Sequence, residues 1–246
     1  MEYDQGIRVT PLIYELSPLE TAIHNYSNKS KAYHKKKSLL AVAIGETEKE
    51  RIDRESQLKK ELTHLDTERR LTETITDVQV QLEEYKRQNS PRAGETRYTT
   101  LARMKKMQNE KHHPTDTLAK YMRAEGRPKP SPKHTPHHII PGKGRTKAVY
   151  RARIRLHTLG IGINDPRNGV WLIRLKRDKG HWSMPESNSH LEIHTKNYEG
   201  WVERHINLAR TTISAYSKLN HLCLLLENGT QPKNITMPPD KNWKGL

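Results

Sequence analysis

Apolar residues recur at helical spacing through the first half of the chain. Within residues 47–88, which contain no Pro or Gly, the recurring apolar side chains fall into two groups separated by a break in phase. The first group is Leu58, Leu62 and Leu65, and the second is Leu71, Ile75, Val78, Leu82 and Tyr85. Alternating spacings of four and three are typical of a heptad seam. The pattern predicts either a coiled coil with another chain or helices that pack on neighbours within this chain.

Capping signals predict further helices on both sides of this seam. The sequence "SPLE" opens a helix predicted over residues 17–44, and "TEKE" at residues 47–50 repeats the signal after the interruption at Gly45. Another helix is predicted from Thr115 to Ala124. Residues 1–125 are therefore expected to form a mainly helical, partly coiled-coil region that serves delivery or interaction.

The composition changes after residue 125. Residues 126–136, "GRPKPSPKHTP", carry four prolines and predict an extended linker. Beyond it, short β-like runs alternate with helical ones, which predicts an α+β domain over residues 137–230 and a tail over residues 231–246. The predicted strands are His138–Ile140 and Gly169–Leu175, and the predicted helices are Thr146–Leu159, about Ser187 to Asn207, and Thr212–Glu227.

Charge is distributed unevenly over the 246 residues. The formal net charge is +16, and residues 126–246 carry +13 of it. A basic field of this size attracts nucleic acid or an acidic membrane surface. No apolar run is long enough to cross a bilayer, so no membrane span is expected. The single cysteine, Cys223, excludes an internal disulfide framework and a cysteine-rich zinc site, and we expect it in the core of the last helix.

Three histidine- and asparagine-bearing motifs follow one another in the basic half. "PHHIIP" contains His137 and His138, and "INDPRNGVWL" places Asn168 in a turn that leads into an apolar strand. "HLEIHTKNY" contains His190 and His194 at a spacing of four. On a helix, that spacing puts two imidazoles on one face, about 6 Å apart at their Cβ atoms, as in paired metal ligands.

The order of these motifs resembles the ββα-metal nucleases of the HNH/endonuclease VII superfamily, most closely the AHH-type branch found in bacterial toxins. The resemblance covers residues 134–207. One departure is Pro136, where the family pattern has Ala. Because proline has no N–H to give to a sheet, we expect the strand to begin at His137 or to be an edge at that point.

The resemblance implies a role for each motif residue. His137, His190 and His194 would bind a divalent metal ion, His138 would be the general base, and Asn168 would orient that base. Three imidazoles suit Zn²⁺, Ni²⁺ or another borderline transition ion better than Mg²⁺, but the choice among Zn²⁺, Ni²⁺, Mg²⁺ and Mn²⁺ stays open. Adjacent strand residues point to opposite faces, so both histidines can serve one site only if the backbone bends near "HHIIPG".

Basic and polar side chains around the motifs are expected to contact the nucleic acid. They are Lys143, Arg145, Arg174, Lys176, Arg177 and His181. Other histidines are expected to have different roles: His157 is expected to be structural, and His112 and His113 to lie on the surface.

By resemblance, the expected function is that of a metal-dependent endonuclease that cuts DNA with little sequence specificity. The protein would be an antibacterial toxin that an acidic immunity protein neutralises, and its N-terminal helices would engage a contact-dependent or contractile (type VI) secretion machine. The N-terminus "MEYDQGIRV" lacks the order of a secretory signal. We therefore expect synthesis in the bacterial cytoplasm, specialised export, and action in the cytoplasm of a target cell.

Two alternatives remain open from the sequence. The chain could be a phage or mobile-element endonuclease that acts as a dimer through its helices. It could also be a non-enzymatic nucleic-acid-binding protein whose histidines hold structural zinc.

Overall fold

Two compact units, residues 1–80 and 81–246, make up the chain. The computed structural model describes residues 3–8, 15–40, 45–240 and 242–243. The helical region expected over residues 1–125 continues from the first unit into the second, and the proline-rich segment 126–136 lies inside the second unit. Within the described ranges, no helix combines the length and apolar character needed to cross a bilayer.

The first unit consists of a short hairpin and two helices. Strands β1 (Tyr3–Asp4) and β2 (Ile7–Arg8) pair antiparallel. Helix α1 spans Pro18–Leu40, and helix α2 spans Glu48–Asn89, so that α2 crosses from the first unit into the second. The last part of the first predicted helix, residues 41–44, lies outside the described residues.

Ion pairs join α1 to the first part of α2. Lys29 pairs with Glu68, and Lys36 pairs with Glu61. The apolar seam of α2 is only partly buried, because Leu65 is 7% exposed whereas Leu71 is 60% exposed. Helix pairing within one chain, one of the two arrangements expected for the seam, is therefore present, and self-association through the exposed positions stays a prediction.

The second unit contains the remaining helices and a two-stranded sheet. After the end of α2 come α3 (Arg97–Gln108), α4 (Asp116–Ala124), β3 (His134–His138), α5 (Lys147–Thr158), β4 (Gly169–Ile173), α6 (Lys196–Asn207) and α7 (Thr212–Glu227). The predicted α+β class, with a helical region ahead of the small sheet, is confirmed. The predicted starts of α5 and α7, at Thr146 and Thr212, agree with the observed starts to within one residue. Thr211 caps α7 through a capping box with Ser214, whereas the Thr146 side chain makes no capping hydrogen bond.

Strands β3 and β4 pair antiparallel, with Pro136 opposite Trp171, His137 opposite Val170 and His138 opposite Gly169. Pro136 lies inside β3, which begins at His134, earlier than expected. In a sheet of two strands each strand has an unpaired edge, so a residue without an N–H is tolerated there. The expectation that the strand is an edge at Pro136 is therefore confirmed.

Helices cover both faces of this small sheet. Val170 and Leu172 face the main core, which α5, α6 and α7 build, while Trp171 packs on α4 in a second, smaller cluster. Because opposed residues in a sheet share a face, His137 lies on the side of the main core and His138 on the side of α4.

Gly169 allows α4 to approach the sheet closely. A Cβ atom at this position would lie 2.5 Å from the sulfur of Met122 and 3.0 Å from Leu118, so any side chain there would collide with α4. The glycine expected to form a tight turn thus also fixes the packing of α4 beside His138.

The helix expected over residues 187–207 is shorter than predicted, because α6 begins at Lys196. Thr195 caps it through a hydrogen bond that its Oγ1 accepts from the Tyr198 N–H, at 3.0 Å. Ahead of this cap, the N–H and hydroxyl of Ser189 both donate to the carboxylate of Glu192 at 2.9 Å and close a separate turn. The prediction that His190 and His194 lie on a helix is therefore wrong, since these side-chain hydrogen bonds compete with helix formation.

Candidate metal and catalytic site

Three imidazoles meet at the end of the sheet. His137 comes from β3, and His190 and His194 come from the turn ahead of α6, and one nitrogen of each lies within 4.8 Å of the others. The ring centroids of His190 and His194 are 4.6 Å apart. The His190 N–H donates to the Ile173 carbonyl at 2.7 Å, which ties the turn to the end of β4. The sequence spacing of four thus brings the two rings together through an anchored turn.

Tyr198, on α6, fixes the tautomer of His137. Its hydroxyl donates its only proton to the Ile139 carbonyl at 2.8 Å and lies 3.0 Å from His137 Nε2. The hydroxyl oxygen must therefore accept a hydrogen bond from His137 Nε2–H, which leaves Nδ1 with a free lone pair. A ligand histidine held in this way by a buried neighbour is typical of metal sites.

Burial keeps the cluster uncharged. Burial, followed by repulsion from neighbouring histidines, lowers the pKa of His137 well below the usual range and the pKa of His190 to about 4. Burial, followed by the nearby charge of Arg145, also lowers the pKa of His194. Neutral imidazole is the form that binds a metal ion.

The donor set fits a divalent transition ion. Nitrogens bound tetrahedrally to one ion at about 2.1 Å lie about 3.4 Å from one another. Small side-chain rotations would bring the three histidine nitrogens from their observed separations, all within 4.8 Å, to this distance. Imidazole donors favour Zn²⁺, Ni²⁺ and similar ions, whereas Mg²⁺ prefers oxygen donors. Three protein ligands leave further coordination positions for water and substrate.

His138 lies on the other face of β3 and has different neighbours. Its Nε2 is 3.1 Å from Asn164 Oδ1, and its side chain is buried. Burial lowers the pKa of His138 to about 4, the hydrogen bond to Asn164 opposes this shift, and the nearby His112 and His113 add to it. At neutral pH the ring is therefore unprotonated and able to accept a proton.

One small cavity, of about 50 Å³, joins the two faces of the strand. Its walls include His113, His137, His138, Lys143, His190 and His194. The backbone bends at Ile139 and Ile140, directly after His138, so the end of the strand exposes both neighbouring imidazoles to the same space. The predicted bend near "HHIIPG" is present.

Asn168 holds this bend in place. Its Oδ1 accepts from the Ile140 N–H at 2.8 Å, and its Nδ2 donates to the carbonyls of Ile140 and Ile163 at 3.2 and 2.9 Å. Its own carbonyl accepts from the Ile139 N–H at 2.7 Å. The hydrogen bond expected between Asn168 and the base comes instead from Asn164, four residues earlier, because the Asn168 amide is turned towards the backbone of the bend.

Three of the predicted nucleic-acid contacts lie beside the histidines. Lys143 lines the cavity, and the charges of Arg145 and Arg174 lower the pKa values of His194 and His190, respectively. Lys176 and Arg177 lie farther along, in a 3₁₀ turn after β4. These five exposed cations could follow a phosphate backbone past the cavity.

His181 lies in a loop after this turn and has structural contacts. Its Nδ1 is 2.9 Å from the Ser183 hydroxyl, which in turn is 3.2 Å from Nε2 of the buried His134. Between His181 and Ser183, Trp182 is 82% exposed. The loop is thus anchored at its base and presents an indole ring to the solvent.

Several residues near the site were not anticipated from the sequence. The rings of His112 and His113, expected on the surface, lie 6.1 and 6.2 Å from His138. A Cβ atom at Gly142 would collide with the His112 ring, which shows how closely the loop after β3 approaches this pair. The available signal was a second pair of adjacent histidines next to a proline, "HHP", and nothing in the pattern linked it to the first.

Residues 118–222 match the model of AHH, a nuclease family of the HNH/ENDO VII superfamily with conserved AHH. The match includes all four histidines of the predicted site and both strands of the sheet. Neither the curated proteins nor the solved structures gave a match to the chain. The resemblance seen in the motifs is confirmed, and the match supports a nuclease function for this part of the chain.

Proposed function

We propose that this protein is a metal-dependent endonuclease that hydrolyses DNA phosphodiester bonds with little sequence specificity. The observation that carries the proposal is one cavity shared by three ligand imidazoles and a fourth, neutral imidazole, within a region that matches a nuclease family. Hydrolysis of a phosphodiester requires a base for the attacking water and a cation at the phosphate, and the two groups of histidines can supply these functions separately.

His138 would remove the proton from the attacking water. Because its Nε2–H is directed at Asn164 Oδ1, the accepting atom is Nδ1. As the ring becomes an imidazolium, the amide oxygen of Asn164 stabilises the developing charge. A divalent ion, when bound by His137, His190 and His194, supplies Lewis-acid stabilisation of the phosphate and of the leaving oxygen.

Binding of the polyanion would rest on charge. Lys143, Arg145 and Arg174 would contact phosphates next to the scissile bond, with Lys176 and Arg177 beyond them. Contacts of this kind position the backbone but do not distinguish bases, which accounts for the low specificity that we propose. Trp182 could add a stacking surface for an unpaired base.

The biological role that we propose is that of an antibacterial toxin. The basic surface around the cavity favours an acidic immunity protein as its neutralising partner. The N-terminal helices would serve export by a specialised secretion machine, after which the nuclease would act in the cytoplasm of the target cell.

Plasmid cleavage tests the catalytic proposal. The full chain should nick supercoiled plasmid after loading with Zn²⁺, Ni²⁺, Mn²⁺ or Mg²⁺, and a chelator should stop it. His138→Ala should lower the rate by about 10²–10⁴-fold, as expected for loss of a general base, while metal content and DNA binding stay close to those of the unmodified chain. His221→Ala removes an exposed histidine of α7 away from the cavity and should cleave normally.

Three results would contradict this proposal. Metal binding without cleavage by the unmodified chain would favour a structural zinc site. If His138→Ala cleaved the plasmid as fast as the unmodified chain, His138 would not be the general base. Cleavage of an RNA of matched sequence, with no action on the plasmid, would leave the nuclease but exclude DNA as its substrate.

A further inference from the structure

The amide of Asn164 is held by residues upstream of the region that matches the nuclease family. Its Nδ2 donates to Glu110 Oε1 at 2.6 Å and to the Lys111 carbonyl at 2.8 Å. Its backbone N–H donates to the Tyr85 hydroxyl at 3.0 Å, which in turn donates to Glu110 Oε2 at 2.9 Å. Asn164 is 1% exposed, so water does not replace these contacts.

These contacts determine which way the amide points. The Lys111 carbonyl can only accept, so the atom 2.8 Å from it must be the NH₂ group of Asn164. The oxygen of the amide then faces His138 and accepts its Nε2–H. The basic lone pair of His138 is thereby fixed on Nδ1.

Glu110 is surrounded by hydrogen-bond donors. Burial raises the pKa of its carboxyl group, while hydrogen bonds from Asn164, Tyr85 and the Ile163 N–H, together with the charge of Arg153, oppose this shift. An amide that donates to a carboxyl oxygen carries more negative charge on its own oxygen, because hydrogen bonds in a chain polarise one another. Glu110 thus acts on His138 through Asn164.

Two arginines anchor the segment that carries Glu110. Arg153, on α5, donates to the carbonyl of Gln108, two residues before Glu110, and to that of Gly142, which lines the cavity. Arg103, on α3, donates to the carbonyl of His157, at the end of α5, at 2.9 Å. The segment therefore keeps a defined position against the nuclease core.

We infer that Glu110 is a positioning residue for His138 and that residues 81–117 belong to the catalytic unit. The test of this inference by reaction rate rests on the proposed function. The state of the His138 ring, in contrast, can be measured without cleavage. Tyr85 and Glu110 would complete a site whose remaining residues lie within the matched region.

The rate test compares Glu110→Ala with Glu110→Gln in the full chain. The alanine variant should lower kcat by about 10²-fold, with KM and metal content unchanged, because loss of an orienting partner costs about 10–100-fold at such sites. Glutamine can still accept from Asn164 Nδ2–H, so its kcat should recover to within about tenfold of the unmodified chain. Glu125→Ala removes a half-buried carboxylate that pairs with Lys86 at 3.0 Å, and it controls for loss of stability alone.

A second measurement separates this inference from the nuclease proposal. Nitrogen-15 NMR of the histidine rings at pH 7.5 should show the Nε2–H form of His138 in the unmodified chain and also in Glu110→Ala, because the Lys111 carbonyl still orients Asn164. The Nε2 resonance of His138 should nevertheless shift in the alanine variant, because its hydrogen bond to Asn164 weakens. An unshifted resonance, or an alanine variant with normal kcat, would overturn the positioning role. Absence of cleavage in the unmodified chain, with the expected shift in the alanine variant, would overturn the proposed function but leave the role of Glu110 in place.

Discussion

Replacing Asn168 with alanine should destabilise the second unit more than it changes the chemistry. The Asn168 side chain accepts one hydrogen bond from the Ile140 N–H and donates two, to the carbonyls of Ile140 and Ile163. Asn168, Ile140 and Ile163 are all fully buried. Alanine would therefore leave the polar groups of the bend without a partner and without access to water.

The expected loss follows from these three contacts. An orphaned buried N–H costs about 1–3 kcal/mol, and each lost hydrogen bond to a carbonyl contributes about 0.5–1.5 kcal/mol. Together they give a decrease of about 4 kcal/mol in the free energy of unfolding. With a urea slope of about 2 kcal/mol/M, the unfolding midpoint should fall by about 2 M.

Tryptophan fluorescence during urea unfolding reports on the second structural unit, residues 81–246, because every tryptophan of the chain lies beyond residue 80. They are Trp171, Trp182, Trp201 and Trp243. A chelator in the buffer removes the contribution of metal binding to stability. Asn207→Ala, which removes an amide bonded to Glu203 on the surface of α6, is the matched control and should leave the midpoint nearly unchanged.

The opposite pattern would refute the assignment of Asn168 to the bend. If Asn168→Ala unfolds at the same urea concentration as the unmodified chain but its kcat falls about 100-fold, Asn168 acts directly on the base. The sequence-based role would then be correct, and the contact between His138 and Asn164 would be secondary.

Two further predictions concern other parts of the second unit. Trp182→Ala should weaken binding of single-stranded DNA by about 5–100-fold, whereas Trp182→Phe should retain most of it, since stacking on a base contributes about 1–3 kcal/mol; equal affinities measured by fluorescence anisotropy would exclude stacking. Burial lowers the pKa of His157 to about 4, so the unfolded chain binds more protons there and stability falls as pH drops from about 6.5 to about 4. His157→Gln should remove up to about 3 kcal/mol of this fall in metal-free protein, and an unchanged slope of unfolding free energy against pH would contradict this reasoning.

The sequence was informative where local rules determine the structure. Local helical patterns located α5 and α7 to within one residue. The rings of His190 and His194 lie together at their spacing of four, although the two residues lie in a turn. The order of the motifs pointed to the three histidines that the fold brings together, His137, His190 and His194, because a resemblance already carries long-range information. Periodicity alone does not place His137 beside the other two.

The remaining site residues depend on packing that no local pattern encodes. Asn164 and Asn168 lie in the same turn, and only the folded backbone determines which amide reaches His138. Glu110 and His113 precede the proline-rich segment, which looked like a boundary. Their approach to the site depends on the packing of α3 against α5 and of α4 against the sheet. The start of α6 was predicted too early, because the helical pattern continues without a break through residues 187–207. The structure starts the helix only after the cap at Thr195.

The position of Tyr85 near the end of α2 has a consequence for how such a nuclease can be inherited. Tyr85 and Glu110 contact the site from one side of the proline-rich segment, and the histidines come from the other. A recombination junction within residues 126–136 would transfer the four histidines to a new carrier protein but leave Tyr85 and Glu110 behind. A junction near residue 80, inside α2, would transfer these side chains together with the histidines, so a segment exchanged with all of these contacts would begin in the middle of a helix.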